Sequence, residues 1–596
     1  MRQTWKTINN VIGRAQKQTI SDQFKQNSGT IITDPTAISN EFNDFFVNVG
    51  PNLASKIQST GKHFFNDYLN TAHEQSIFMR PIVEDEILKI INKFDKNKSA
   101  GHDGIGNLIV KGVAKEIVRP LTAIFNRSLS TGKVPDSLKI AKVIPIHKKD
   151  DKEIFSNYRP VSVLPCFSKI LERLIFNRCI EFIEKNNILN AKQFGFRAHH
   201  STYMAIMQLV DKINNAVEKN ETTIGVYLDL SKAFDTIDHN ILLHKLDYYG
   251  FRGIVLDWFR DYLRNRTQYV SYNDNKSDLK TILCGVPQGS ILGPLLFILY
   301  INDITNTSKI LDFLLFADDT TILYSSPDIV SKIPMINREL SEVSNWFKAN
   351  KLSVNATKTN YMIMGTQHMT SMEDQSVSNV DIILDKTKLK RVDKTKFLGV
   401  TIDENLSWKN HIDGITKTIS RNIGMINKLK FIIPERILRT LYCTLVLLYI
   451  NYGILIWGKA CKAYLEKIHK LQKWAVRIIS NSHYRSHSAP LFQKHDILTV
   501  YDSYNLELGV FMYKYFNGLL PMSFNAFFTK LSDIHNYDTR NKSNCNPTRN
   551  KKVFADKAVR TTGPILWNSI DQNIKNSIST KHFRKLYKSS LISLYI

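Results

Sequence analysis

The stretch LLFADDTTILY, residues 314–324, places two adjacent carboxylates, Asp318 and Asp319, inside an otherwise apolar run. Burying one charge is costly, and two side by side also repel. The flanks FLLFA and TTILY are both strand-like, so the pair falls at or near a hairpin tip. A tip can carry carboxylates out of a core and into a cleft. An Asp-Asp pair alone means little: Asp150-Asp151, within HKKDDKE, reads as a solvated turn.

A second acid gives the pair meaning. In IGVYLDLSKAFD, residues 224–235, Val226, Leu228 and Leu230 share one strand face, and Tyr227 and Asp229 share the other. The core is expected to take the first face, so Asp229 points away from it. Ser231 is expected to cap a helix beginning at Lys232, Ala233 and Phe234. Were Asp229, Asp318 and Asp319 to converge, each pair at about 4 Å would repel by on the order of 4 kcal/mol at an effective dielectric near 20. Protonation or a hard divalent cation relieves such a cluster. Two Mg²⁺ ions roughly 3.5–4 Å apart are the clamp used for in-line phosphoryl transfer. Spacing alone does not choose between a polymerase and a nuclease.

The charge balance points to a polyanionic partner. Lys and Arg total 80 against 54 Asp and Glu, a net charge of +26 over 596 residues, spread along the chain. Such spreading suits a long nucleic-acid groove more than a basic tail. The six cysteines form no CxxC pair or zinc-finger spacing, so reduced thiols in an intracellular protein are expected. His483, His487 and His495 lack a partnering cysteine and are not expected to bind metal. The start, MRQTWKTINN, has no signal-peptide core. TLYCTLVLLYINYGILIWG, residues 440–458, is long enough to span a membrane, but Asn451, Gly453 and its tyrosines favour a buried helix–turn–helix or helix–strand element.

Periodicity gives the remaining elements. A helix is expected within TDPTAISNEFNDFFVNVG, with Asp34 as cap, Pro35 in its first turn, and Ile38, Phe42, Phe45 and Val49 as its apolar stripe. Another covers residues 83–94, followed by the Gly- and Lys-rich loop DKNKSAGHDGIG. AKVIPIHKK and IGVYLDL read as strands, and FSKILERLIFNRCIEFIEKN and DHNILLHKLDYYG as helices. Beyond Asp403 the chain reads as mainly helical, interrupted by a Lys/Asn/Ser-rich loop at residues 535–552.

The blocks VYLDLSKAFDTIDH, GVPQGSILGPLLFILYINDI and FADDT resemble the reverse transcriptases of non-LTR (LINE-type) retrotransposons, the jockey-like group especially. KSAGHDGI, IPIHKKDDKEIFSNYRPVSVLPCFSKILERLI and QFGFRAHHST lie upstream in the matching order. WFKANKLSVNATKTNYMIMG and FLGVTIDENLSWKNHI lie downstream. The resemblance runs from about Thr33 onward and is looser after about Ser480.

It implies a mixed α+β right-hand polymerase with fingers, palm and thumb, followed by a mainly helical C-terminal region. Residues 1–80 would be a connector with a helix. Residues 81–402 would be fingers and palm, with a core at about 128–402. Residues 403–480 would be thumb-like, and 481–596 a helical region without an assigned role. The implied reaction is RNA-directed DNA synthesis from a DNA 3′-hydroxyl, with RNA template, DNA primer and dNTPs as partners and no membrane. The implied cofactor is two Mg²⁺ ions, with Mn²⁺ as substitute.

Carried over residue by residue, Asp229, Asp318 and Asp319 become the metal site, and Lys358 assists the leaving pyrophosphate. Lys148 and Arg159 hold the triphosphate, with Lys142 and Lys149 as neighbouring alternatives to Lys148. Phe234 becomes the steric gate against a ribose 2′-hydroxyl, and simple core packing is its plainer reading. Gln288 and Gly289 contact the nascent base pair and the nucleotide. Phe397, Leu398 and Gly399 match the primer grip. Nuclear and cytoplasmic action follows from the family.

No endonuclease, Cys/His knuckle or ribonuclease H acid set is recognisable in the sequence, so a fragment or truncated reading frame is expected, with target cutting left to a separate endonuclease. A catalytically inactive remnant that only binds nucleic acid is the competing reading. An RNA-directed RNA polymerase is disfavoured by Phe234 and FADD.

Overall fold

A computed structural model describes residues 21–26, 29–57, 63–148, 150–365, 380–529, 545–546 and 557–595. Lys149, the first twenty residues of the expected connector and nearly all of the loop at 535–552 lie outside the described residues.

The fold is mixed α/β and is organised by two five-stranded sheets. In the first, the strand Thr222–Leu228 lies between Asp319–Ser326 and Asn360–Met364, antiparallel to both. Asp312–Phe316 adds one edge through a hairpin to Asp319–Ser326, and Lys390–Arg391 adds the other. The expected hairpin around Ala317 therefore forms. Alternation along these strands feeds two separate cores. Ile224, Val226, Leu228, Ile322 and Ile363 face one apolar cluster, with helices Cys166–Lys185, His239–Tyr248 and Gly293–Tyr300. Tyr227, Leu323, Met362 and Met364 face the other, with Thr202–Glu218 and the C-terminal helices.

This corrects the single-faced reading of the Asp229 strand. All seven residues of Thr222–Leu228 are buried, because helices cover both sides of the sheet. Asp229 escapes burial by lying one residue beyond the strand's end, not by facing solvent along it; its side chain is 46% exposed.

The second sheet orders Tyr158–Val163, Ile140–His147, Thr267–Tyr272 and Asn275–Lys276, with Lys280–Thr281 pairing to Thr267–Tyr272. The helix Pro35–Ser55 packs on it, and the Asp34 carboxylate accepts from the Ala37 amide at 2.6 Å as the cap reading requires. Its buried stripe is Ile38, Phe42 and Phe46, not the expected Phe45 and Val49. Beyond Asp403 the helices Lys409–Leu429, Lys462–Ile479, Val500–Phe516 and Thr580–Ile592 agree with the periodicity. Residues 440–458 break into the end of Glu435–Tyr442, a π-turn at Cys443–Leu447 and two four-residue helices, Leu448–Asn451 and Ile454–Trp457. Among the described residues no helix is long and apolar enough to cross a membrane.

Candidate active site

The Phe316–Asp319 pair closes the acidic hairpin, leaving Ala317 and Asp318 as its two-residue tip, with Ala317 at φ +55°. A neighbouring segment clasps the tip. The Phe194 amide donates to the Leu315 carbonyl at 2.8 Å, and the Leu315 amide to the Lys192 carbonyl at 3.0 Å. Gln193, fully buried, accepts through Oε1 from the Ala317 amide at 3.0 Å and the Gly195 amide at 2.7 Å. A Cβ on Gly195 would lie 2.3 Å from the Ala317 nitrogen, so only glycine permits this approach.

The tip opens into a cavity of about 780 Å³ whose wall includes Asp229, Asp318 and Asp319. Lys148, Arg159, Phe234, Gln288 and Lys358 line the same space. Its volume lies within the range of ligand-binding clefts and is ample for a nucleotide-sized molecule. Asp319 is pushed up to about 6, first by desolvation and then by Asp318 and Asp229. Asp318 is also raised, first by burial; Asp229 adds to the rise, and Arg159 and Lys148 oppose it. The Lys358 ammonium stands 3.7 Å from Asp229 Oδ2. Backbone contacts join that lysine's turn to the strand end: the Asn355 amide donates to the Asp229 carbonyl at 2.7 Å, and the Asp229 amide to Thr359 Oγ1 at 3.3 Å.

Phe234 lines the cavity and also packs inward, stacked on Phe297 at 4.6 Å and edge-on to Phe196 at 6.2 Å. Both of its readings therefore have a structural counterpart. The expected Ser231-capped helix does not form. Lys232 takes φ +52°, Ala233–Asp235 is a single 3-10 turn, and the helix begins at His239 with Asp238 as its cap. The left-handed Lys232 breaks the helical path, and Asp238, accepting from the Asn240 and Ile241 amides, supplies the better cap.

Gln288 reaches the cavity, whereas Gly289 lies beside it at φ +127°, where a Cβ would strike the Ser162 carbonyl at 2.4 Å. The Ser162 amide donates to the Gln288 carbonyl at 2.8 Å, tying this loop to the second sheet. Phe397, Leu398 and Gly399 do not line the cavity. They close a separate hairpin between Lys394–Phe397 and Val400–Asp403, with Leu398 at φ +45° and Gly399 at φ +83°. The Tyr452 hydroxyl donates to the Leu398 carbonyl at 2.5 Å and so fixes that tip from the helical side.

Several lining or supporting residues escaped the sequence reading. Lys232 lines the cavity, and its ammonium is lowered by burial and by the facing cations Lys148, Arg159 and Lys358, although Asp235 counteracts them. Glu172, 1% exposed, accepts from the Ile291 amide at 2.6 Å and the Tyr262 hydroxyl at 2.9 Å, bracing the loop from beneath. Gln193 stands within the quoted block QFGFRAHHST, yet nothing in its spacing signals the clasp. Among the described residues no group of three His, Cys, Asp or Glu is drawn into a ready-made ion shell, the three aspartates and His483, His487 and His495 included.

Residues 146–402 match the reverse transcriptase (RNA-dependent DNA polymerase) family. This segment is a reverse transcriptase domain. The chain is 29% identical over 430 residues to an RNA-directed DNA polymerase from mobile element jockey of Drosophila melanogaster, covering 70% of this chain and 46% of that protein. It is 30% identical over 451 residues to a probable RNA-directed DNA polymerase from transposon BS of the same species, covering 73% of this chain and 48% of the relative. A third relative, from transposon X-element, is 27% identical over 456 residues, 74% of this chain and 48% of its own length. The chain thus spans about half the length of the curated relatives it matches. The resemblance to non-LTR retrotransposon reverse transcriptases, drawn from the motifs, is borne out. All the acids and cations that line the cavity lie inside the reverse transcriptase domain.

Proposed function

We propose that this chain is the RNA-directed DNA polymerase of a non-LTR retrotransposon, extending a DNA 3′-hydroxyl on an RNA template. One observation carries the reading: Asp229, Asp318 and Asp319, a set of cations, the Phe234 ring and the Gln288 carboxamide line a single cavity within the reverse transcriptase domain. On this reading the Thr222–Leu228 sheet is the palm, the second sheet belongs to the fingers, and the helices after Asp403 begin the thumb.

The acids suit a hard divalent cation. Desolvation and mutual repulsion raise Asp318 and Asp319, and a bound cation would relieve both. Asp229, Asp318 and Asp319 would hold Mg²⁺ or Mn²⁺. The chemistry such ions supply is activation of the attacking hydroxyl and neutralisation of charge on the phosphate oxygens.

The chain's own groups do the positioning. Arg159 offers a planar fork to phosphate oxygens, with Lys148 and Lys232 as point charges beside it. Lys358 stands beside Asp229 and offsets the charge that grows on the leaving pyrophosphate. The Phe234 ring occupies the space a 2′-hydroxyl needs and so favours dNTPs. The hairpin tip at residues 397–399 lies against the primer end. The net charge of +26 attracts the template–primer duplex.

Primer extension tests this. Purified protein should extend oligo(dT) on poly(A) with dTTP and Mg²⁺. Asp318→Ala should abolish extension while leaving template–primer binding within about twofold, since one carboxylate contributes nothing attractive to a polyanion. Wild-type protein that binds but never extends would overturn the polymerase reading and leave a nucleic-acid-binding remnant.

A further inference from the structure

Behind the cavity, the carboxylate of Asp235 meets the side chain of Gln288. Gln288 Nε2 lies 2.9 Å from both Asp235 Oδ1 and Oδ2. Gln288 lines two cavities, the large one with the three acids and a small one behind it, whereas Asp235 lines only the small one. The carboxamide is therefore a partition between them, gripped from the rear.

An ionised carboxylate only accepts hydrogen bonds, so it can face the NH₂ end of a carboxamide but not its oxygen. We propose that Asp235 is a positioning residue that fixes which end of the Gln288 carboxamide faces the nucleotide, keeping Oε1 on the cavity side as an acceptor. The ligand class this selects is a nucleotide carrying a donor, a sugar hydroxyl or a base amine, at that point. The inference rests on the polymerase reading and deepens it.

The surroundings make the assignment specific to the side chain. The loop backbone has anchors of its own: Gly285 donates to the Ile237 carbonyl at 2.8 Å, Val286 to the Phe234 carbonyl at 2.9 Å, and Ser162 to the Gln288 carbonyl at 2.8 Å. His239 Nε2 sits 2.8 Å from the Gly285 carbonyl. Loss of the Asp235 carboxylate leaves all of these in place; it frees the Gln288 carboxamide to rotate and removes the charge that supports the Lys232 ammonium, a change that Gln288→Ala does not make. Phe234, the adjacent residue in the chain, faces the same cavity, so one turn sets both a steric and a polar wall.

The test is a cycle of Asp235→Ala, Gln288→Ala and the double variant in primer extension. Asp235→Asn is added because it preserves volume and can present either end of its own amide. Each single variant should lower kcat/KM for dNTP by about tenfold, the loss of one hydrogen bond to a bound ligand, with template–primer Kd unchanged. The double variant should be no worse than Gln288→Ala alone, and Asp235→Asn should fall between wild type and Asp235→Ala. Additive losses, or a defect confined to template–primer Kd or thermal stability, would overturn the positioning role while leaving the polymerase reading intact. Absence of extension by wild type would overturn the polymerase reading and this inference with it.

Discussion

Asp319 stands opposite Asp229 across two antiparallel strands. Thr320 pairs with Leu228 and Thr321 with Tyr227, and continuing that register by one residue sets the two acids face to face. Side chains in such a position approach to about 5 Å at Cβ, and like charges there destabilise the sheet. Without a cation the native fold therefore carries an electrostatic cost at this point. Asp319→Asn should stabilise the fold in EDTA at neutral pH by on the order of 1 kcal/mol, read as a higher melting temperature, because solvent at the cavity mouth screens part of the repulsion. The same variant should lose most of the stabilisation that Mg²⁺ gives wild type. Thermal melts with and without Mg²⁺ read both effects, and an Asp319→Asn variant less stable than wild type in EDTA contradicts the repulsion.

Arg159 and Lys148 both act on Asp318 and both line the cavity, but they are not equivalent. Arg159 projects from the Tyr158–Val163 strand, whose partner strand ends at His147, one residue before Lys148. A guanidinium binds phosphate oxygens in pairs, which an ammonium cannot copy. Arg159→Ala should raise KM for dNTP by about 10- to 100-fold, the range expected for hydrogen bonds to a charged group. Arg159→Lys should recover only part of that loss, and Lys148→Ala should cost less than Arg159→Ala. Steady-state kinetics in dNTP decides, and full recovery by lysine would remove the bidentate role.

Phe234 carries two duties, since its ring stacks on Phe297 and also walls the cavity. The gate role predicts a change in selectivity, and the packing role predicts a loss of stability. Phe234→Ala should raise the ratio of ribonucleotide to deoxyribonucleotide incorporation by at least tenfold and also lower the melting temperature. Phe234→Leu should keep most of the stability with an intermediate ratio. A melting shift with no change in the incorporation ratio would leave Phe234 as core alone.

Local chemistry made part of this site legible. Asp34 and Pro35 announce a helix start, and the flanks of Asp318 announce a hairpin, because each signal lies within a few residues of its effect. The convergence of Asp229 with that hairpin depends on strand register across some ninety residues of chain, which no local pattern encodes; here the family resemblance supplied it. Gln193 and Asp235 were missed because their partners, Ala317 and Gln288, lie 124 and 53 residues away along the chain. The stripe of the first long helix failed for another reason. Asn43 is fully buried and donates to the Gln268 carbonyl at 3.3 Å and the Asp278 carbonyl at 2.8 Å. A polar residue satisfied in the core turns the helix away from the face that hydrophobicity alone selects.

His411, which does not line the acidic cavity, gives a separate pH signature. It lies in the first turn of the helix Lys409–Leu429, 5% exposed, with its ring beside Trp457 and Nδ1 accepting from the Thr401 amide at 3.4 Å. Burial, and to a lesser degree Lys396, lowers it to about 4. The positive end of the helix dipole acts in the same direction. The fold therefore binds neutral imidazole, while the unfolded chain takes up a proton near the ordinary histidine value of about 6.5. Its stabilising contribution is complete above that value and is lost as pH falls toward 4, at no more than about 1.4 kcal/mol per pH unit. His411→Gln, which keeps an acceptor and cannot titrate in this range, should be less stable than wild type at pH 7.5. The gap should narrow steadily toward pH 4.5. Parallel melting curves for the two proteins across that window would show that His411 is not held neutral by the fold.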